Sequence, residues 1–276
     1  MPYKKILTIQ DISCVGQCSL TVALPILSAC GMETCILPSA VLSTHTAGFT
    51  DFTVRDLTED IPAIAAHWRK ENISFDAIYT GYLGSLTQID YVRDIFHTLK
   101  AEGGTIIVDP AMGDNGKLYP AFNEEYASAM AKLCGEADII IPNITEACFM
   151  TGVEYKENYD GAYVTALLEK CADLGAKTVV LTGVSYDAEH TGVAVYKNGK
   201  LTYYRHDKSA KGSHGTGDVY ASAFVGALMN GKSAEDSAAI AADYTYQCIL
   251  NTCDDATHWY GVKFETALEQ LMNAIK

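Results

Sequence analysis

A chain of 276 residues, with 49% hydrophobic and 20% charged side chains, is apolar enough to bury a core, which excludes intrinsic disorder. Its 34 acidic and 20 basic residues leave a net charge of −14, which excludes general attachment to a nucleic-acid backbone. Any bound phosphate must be met by backbone N–H groups, a metal ion or a few local cations.

Short apolar runs alternate with amphipathic stretches along most of the chain. Residues 6–9 read as a strand, followed by a helix over about 19–30 that Gly31 can terminate. Residues 35–37 are a second strand. Leu57, Ile61, Ile64, Ala65 and Trp68 recur at helical spacing over 57–70. Residues 77–80 form a third strand, and Thr87 with Asp90 resembles a capping box for a helix that Gly103 ends. Residues 105–108 run into Asp109-Pro110, and 138–141 run into Pro142-Asn143. A helix over 161–174 closes at Gly175, and 178–181 is a further buried strand. Residues 193–196 and 201–204 flank Asn198-Gly199, a hairpin signal, and from Asp218 onward the pattern is helical.

This alternation, with continuously apolar strands, predicts an α/β fold whose mostly parallel central sheet is covered by helices on both faces and carries an antiparallel hairpin near one edge. No linker, low-complexity segment or internal repeat interrupts the chain, so one domain over residues 1–276 is expected. The nine cysteines are scattered without C-x-x-C spacing, which suits free thiols in a reducing compartment. The apolar run behind Lys4 and Lys5 stops at Gln10-Asp11, and no stretch is long enough to span a membrane. A soluble cytoplasmic protein without nucleic-acid or membrane partners is expected.

In open α/β sheets, ligands lie beyond the carboxyl ends of the strands. Those ends deliver Gln10-Asp11-Ile12-Ser13, Gly81-Tyr82-Leu83-Gly84-Ser85, Asp109-Pro110, Pro142-Asn143-Ile144-Thr145-Glu146 and Thr182-Gly183. Two glycine-rich segments compete for a phosphate. Residues 226–233 match the G-x-x-x-x-G-K-S pattern, but the preceding segment is helical, whereas a phosphate-wrapping P-loop follows a strand. Gly231 reads instead as a helix stop, and Ser233 with Asp236 as the next capping box. The stronger candidate is Gly212-Ser213-His214-Gly215-Thr216-Gly217-Asp218, directly before an apolar helix. Its glycines and the helix N-terminus turn N–H groups and a partial positive charge toward an anion.

With Asp109 and Asn143-x-x-Glu146, this segment resembles the ribokinase-like kinases, and within them the pyridoxal kinases. Gly81-Tyr82-Leu83-Gly84-Ser85, Asp109-Pro110-Ala111-Met112-Gly113, Pro142-Asn143-x-x-Glu146 and Ser43-Thr44-His45-Thr46 are similar to segments of that family. The resemblance runs from residue 6 to about residue 230. It implies a ribokinase-like three-layer α/β/α sandwich and ATP-dependent phosphorylation of the hydroxymethyl group of pyridoxal, pyridoxamine or pyridoxine. It also implies Asp218 as catalytic base, with Gly215, Thr216 and Gly217 as the anion hole. Asp109 and Glu146 would hold Mg²⁺, and Asn143, Thr182, Lys211, Gly212, Ser213 and His214 would line the nucleotide. Asp11, Ser13, Thr44, His45 and Tyr82 would surround the vitamer, and residues 43–52 would form a flap that excludes water. A homodimer follows by family analogy, and a monovalent cation is a further candidate cofactor. Hydroxymethylpyrimidine kinase, which acts on a similar heterocycle, is the nearest alternative; a non-catalytic binding protein is a second.

Two positions depart from the pyridoxal-kinase pattern: Asp11 stands where serine is usual, and Thr182 where many members have lysine. A carboxylate at position 11 favours a substrate with an ammonium group if it reaches that substituent, whereas contact with the protonated ring would favour no vitamer. Asp11→Ser is therefore expected to lower the ratio of kcat/KM for pyridoxamine to that for pyridoxal, in parallel steady-state assays. An unchanged or higher ratio removes this role.

Overall fold

The computed structural model describes residues 3–209 and 214–276. The chain starts with β1 (Lys5–Ser13), α1 (Leu20–Ala29), β2 (Glu33–Leu42) and the short β3 (Val54–Asp56). A single 3₁₀ turn over Thr58–Asp60 leads into α2 (Ile61–Lys70), then β4 (Phe75–Thr80), α3 (Leu86–Leu99) and β5 (Lys100–Val108). A small ribbon of β6 (Gly113–Asp114) and β7 (Lys117–Leu118) precedes α4 (Glu124–Gly135), β8 (Ile139–Ile140), α5 (Ile144–Thr151) and α6 (Gly161–Ala172). Next come β9 (Thr178–Val184), β10 (His190–Lys197) and β11 (Lys200–Asp207), then α7 (Thr216–Met229), α8 (Ala234–Leu250) and α9 (Leu268–Ile275).

The main sheet has the order β11-β10-β9-β8-β5-β4-β1-β2-β3. Its centre, from β2 through β1, β4, β5 and β8 to β9, is parallel. The expected hairpin is present: β10 and β11 pair antiparallel, and Asn198 and Gly199 both hold positive φ, the signature of a tight hairpin turn. The other edge also carries an antiparallel strand, β3 on β2, which lies outside the sequence reading. The three-layer α/β/α sandwich follows from the period of two along each strand. Leu7, Ile9, Ile106 and Val108 face α2 to α6, whereas Ile6, Ala77, Tyr79 and Ile107 face α1, α7, α8 and α9. With both faces covered, the central strands are continuously apolar, as parallel strands must be.

Two local expectations are corrected. The cap of α3 is Ser85, whose hydroxyl accepts the Gln88 N–H, and not Thr87 with Asp90. The earlier start prevails because Gln88 is useful there: its amide oxygen accepts from the Gly84 N–H, and its amide nitrogen donates to the carbonyl of Ser39 and the hydroxyl of Thr58. Gly103 does not end that helix, because Lys100 already pairs with Phe75 of β4, and Gly103 lies in the irregular first part of β5. All nine cysteines are free thiols, and among the described residues no helix is long and apolar enough to cross a membrane.

The G-x-x-x-x-G-K-S match falls on a helix–helix junction. Gly226 lies inside α7, Gly231 takes φ 89° after its end, and the Ser233 hydroxyl caps α8 by accepting the Asp236 N–H. A P-loop needs a strand before it, and here there is none. Lys232→Ala is therefore expected to change turnover by less than about threefold in a steady-state assay, as for surface substitutions generally. Loss of activity with retained fold would reinstate the P-loop.

Candidate active site

The parallel sheet reverses its direction of growth at β1, with β2 added on one side and β4 on the other, and the crevice at such a switch point is where ligands bind. The strand ends there carry an acidic cluster. Asp109 follows β5, and the alternation that sends Ile107 toward α7 sends Asp109 the same way. Glu146 sits in the first turn of α5 and Asp218 in the first turn of α7. Asp109 and Glu146 are 7% and 3% exposed, so they lie almost wholly inside protein.

The local sequence explains how Glu146 is fixed there. Asn143 and Glu146 form a reciprocal capping box: the Asn143 side chain accepts the Glu146 N–H at 2.9 Å, and Glu146 Oε2 accepts the Asn143 N–H at 2.8 Å. Glu146 Oε1 accepts the Met112 N–H at 3.1 Å, and Asn143 Nδ2 donates to the Gly113 carbonyl at 2.8 Å. The Asn-x-x-Glu motif thus ties α5 to the segment that follows Asp109. Thr182 enters the same junction through a bridge with Asn143, and its N–H donates to the Pro142 carbonyl.

Charge is expensive in this cluster. Burial pushes Glu146 up to about 7 against the lowering effect of its backbone hydrogen bonds. Burial, then the charges of Glu146 and Asp218, hold Asp109 well above the usual carboxylate range. Asp218 lies nearer the mouth and its residue keeps some solvent access, yet burial, with a smaller push from Asp11, raises it to about 7. The Ser19 backbone opposes that rise. Among the described residues no three acidic, histidine or cysteine side chains converge as a ready metal site, but a positive charge brought beside the buried Asp109 and Glu146 carboxyls would favour their ionised forms.

The start of α7 faces this cluster. Its N-cap is Gly215, in the left-handed region at φ 74°, with no side-chain cap. A Cβ at Gly215 would lie 1.9 Å from the Gln17 carbonyl oxygen, so no other residue fits without moving the backbone. Gly217 has open space around the position of a Cβ, so backbone can be approached closely there.

On the other side of Asp218 lies Asp11, 6% exposed, where the register between β1 and β2 shifts, a feature that re-aims side chains. Ser13 donates its hydroxyl to Asp11 Oδ2 at 3.2 Å. Burial raises the pKa of Asp11, and contacts with Ser19 and Ser13 counter it. Tyr82 is close enough to Asp11 for their charges to couple, and its ring lies 5.3 Å from that of Phe122. His45 is also coupled to Asp11, and its ring lies 5.9 Å from that of His214. The Thr44 hydroxyl is buried without a hydrogen-bond partner among the described residues. The fold therefore gathers Asp11, Ser13, His45, Tyr82, Asp109, Asn143, Glu146, Thr182, His214 and Asp218 around one crevice. Thr44 is next to His45, and Gly215, Thr216 and Gly217 start α7. Lys211, Gly212 and Ser213 lie outside the described residues.

Ser19 belongs to the site and has no sequence signal beyond that of an ordinary helix cap. It is the N-cap of α1 but makes no side-chain cap bond, and it holds φ 53°, ψ −130°, a region costly for any residue with a Cβ. Its side chain faces Asp11 and its backbone faces Asp218, so the strain is held where two buried carboxylates need polar partners.

Because the folded-state values of Glu146 and Asp218 lie near 7, above those of an unfolded chain, the native state binds extra protons between about pH 4 and 7. The associated stability is present at low pH and lost as pH rises through about 7. Without divalent ions, the Tm of the wild type is expected to fall more between about pH 6 and pH 8 than that of Asp218→Asn, by differential scanning fluorimetry. Equal slopes would remove Asp218 from the coupled cluster.

The sequence profile of the phosphomethylpyrimidine kinase family matches residues 24–261. A Bacteroides thetaiotaomicron protein, provisionally described as a phosphomethylpyrimidine kinase and crystallised with pyridoxal, is 35% identical, with a TM-score of 0.91 over 98% of this chain and 96% of its own. Pyridoxal kinase from Lactobacillus plantarum is 30% identical, with a TM-score of 0.91 over 98% of this chain and 97% of its own. Pyridoxal kinase from Dictyostelium discoideum is 28% identical over 240 residues, which is 80% of this chain and 77% of that protein. With this crevice, this sheet order and a profile match over most of its length, the chain belongs to the phosphomethylpyrimidine kinase family.

Proposed function

We propose that the chain transfers the γ-phosphoryl group of ATP to the hydroxymethyl group of a vitamin B6 vitamer: pyridoxal, pyridoxamine or pyridoxine. The observation that carries this reading is the placement of Asp218, a carboxylate raised to about 7, on the uncapped first turn of α7 between Asp11 and the Asp109–Glu146 pair. A base must be ionised at working pH and still be basic enough to take a proton, and a value near 7 meets both demands. The same helix turn presents backbone N–H groups and a partial positive charge to the transferred phosphoryl group.

Phosphoryl transfer asks little covalent chemistry of the protein and much positioning. Asp218 accepts the proton of the substrate alcohol as its oxygen moves in line onto the γ-phosphorus. Gly215, Thr216 and Gly217 surround the charge on that group. Asp109 and Glu146 would hold Mg²⁺, which would offset the charge of the phosphates and of the carboxylates themselves. Asn143 has both ends of its amide taken by Glu146 and Gly113, so it serves the nucleotide side by holding Glu146 in place. Thr182 and His214 line the nucleotide with Lys211, Gly212 and Ser213. Asp11, Ser13, Thr44 and Tyr82 present a half-buried aromatic face and directed polar groups to a flat heterocycle. A homodimer and a monovalent-cation requirement enter the proposal through the family resemblance.

The family match also supports a second reading, phosphorylation of a hydroxymethylpyrimidine, which offers the same hydroxymethyl group on a similar ring. Coupled assays with the three vitamers and hydroxymethylpyrimidine, each with Mg–ATP, decide between the acceptors. Asp218→Asn is expected to lower kcat by about a hundredfold or more with ATP binding retained. The wild-type kcat is expected to fall as pH drops through about 7, because protonated Asp218 cannot act as base. An active Asp218→Asn enzyme would overturn the assignment of the base.

A further inference from the structure

Two loops meet over the acceptor side of the crevice. One is the segment 43–53 between β2 and β3; the other is the segment 254–261 between α8 and α9, to which the sequence reading gives no role. Their contacts are specific. His45 Nδ1 accepts the Ala47 N–H at 3.2 Å, so the ring proton sits on Nε2, which donates to the Tyr260 carbonyl at 2.8 Å. Both nitrogens of His45 are thereby used inside the protein, leaving it a fastening role instead of a hydrogen bond to substrate. Four residues on, the Phe49 ring lies 4.6 Å from that of Trp259 and 5.0 Å from that of His45. Gly48, at φ 86°, lets this approach happen, since a Cβ there would stand 2.8 Å from the Trp259 ring.

The second loop is itself anchored beside the catalytic helix. Gln17 donates its amide to the Glu265 carboxylate at 3.0 and 3.1 Å, so its oxygen is free to accept from His258 Nε2 at 2.8 Å. The Gln17 N–H also donates to the Tyr260 carbonyl at 3.4 Å. Gln17 is the residue whose carbonyl packs on Gly215, the N-cap of α7. A continuous set of contacts therefore runs from α7 through Gln17 and Tyr260 to His45, which is near enough to Asp11 to feel its charge. Trp259 remains 47% exposed, a large ring kept at the mouth, where its aromatic partners are Phe49 and Tyr260.

We infer that Trp259 and Tyr260 are positioning residues of the acceptor site: through Phe49 and His45 they hold segment 43–53 in place as the wall above Asp11. The inference rests on the proposed phosphorylation of a hydroxymethyl heterocycle at this crevice. It explains why the loop that must exclude water during transfer is fastened to a second loop anchored on α7, the element that carries the base. Separation of the wall from the second loop is then resisted by the Phe49–Trp259 pair and the part-buried hydrogen bond from His45 to the Tyr260 carbonyl.

The test compares wild type, Trp259→Ala and Trp259→Phe, using the acceptor that the wild type phosphorylates. Trp259→Ala is expected to raise the acceptor KM by about three- to tenfold, the range of an aromatic pair, with the ATP KM changed by less than about twofold. Trp259→Phe should restore most of the difference. A merely structural effect would lower Tm or total activity without separating the two KM values. Hydrogen exchange without ligands should be faster over 43–53 in Trp259→Ala than in wild type. An unchanged acceptor KM overturns the inference. If the wild type phosphorylates no hydroxymethyl heterocycle, the functional reading fails separately, and exchange then decides the clamp: faster exchange supports it and equal exchange overturns it.

Discussion

Three carboxyl groups lie together at one rim of the sheet, and the cost of ionising them under burial is the constraint around which the site is organised. Asp109, Glu146 and Asp218 come from three different elements, and each has its pKa raised chiefly by burial. The protein meets part of that cost with backbone N–H groups: those of Asn143 and Met112 on Glu146. What remains uncompensated is the affinity of the site for positive charge. In a chain with net charge −14, the positive charge that any bound anion needs would have to arrive with it or come from helix and backbone dipoles.

The fold makes this arrangement affordable by placing it at a single rim. Parallel strands deliver their ends on the same side, and alternation within each strand sends Asp109 toward α7 while its neighbour Val108 enters the opposite core. Helix α7 is buried along nearly its whole length, so its first turn cannot shift without unpacking Val219, Phe224 and their neighbours. Rigid packing of that helix holds Asp218 and the Gly215–Gly217 turn as one body. Ser19 shows the local cost of such placement, since an unfavourable backbone conformation is kept where two carboxylates require polar contacts.

The rim beside Asp11 is built differently. There the walls are loops, held by aromatic contacts and a few hydrogen bonds between segments far apart in the chain; His45 and Tyr260 are separated by more than two hundred residues. Such contacts are weaker and more local than those of the core, so this rim can open without unpacking the sheet.

The main strands of the central sheet, the covering of both its faces, the edge hairpin and the polar strand ends are legible in the sequence, because period-two and period-3.6 patterns follow directly from backbone geometry. The order of the strands in the sheet is not. Helix α4 is missing from the sequence reading although its signal is present, since Asn123 precedes Glu124 and Glu125 and buried residues recur at helical spacing. Helix α5 is also missing, because it is short and buried almost all round, and so shows no polar face. The motif residues could be named from sequence, since the chemistry of a carboxylate, a glycine turn and a helix N-terminus belongs to the residues themselves. The pairings of Asn143 with Gly113, Ser19 with Asp218, and Phe49 with Trp259 could not. They join residues remote along the chain, and no periodicity or local spacing encodes which distant loops the packed sheet brings together.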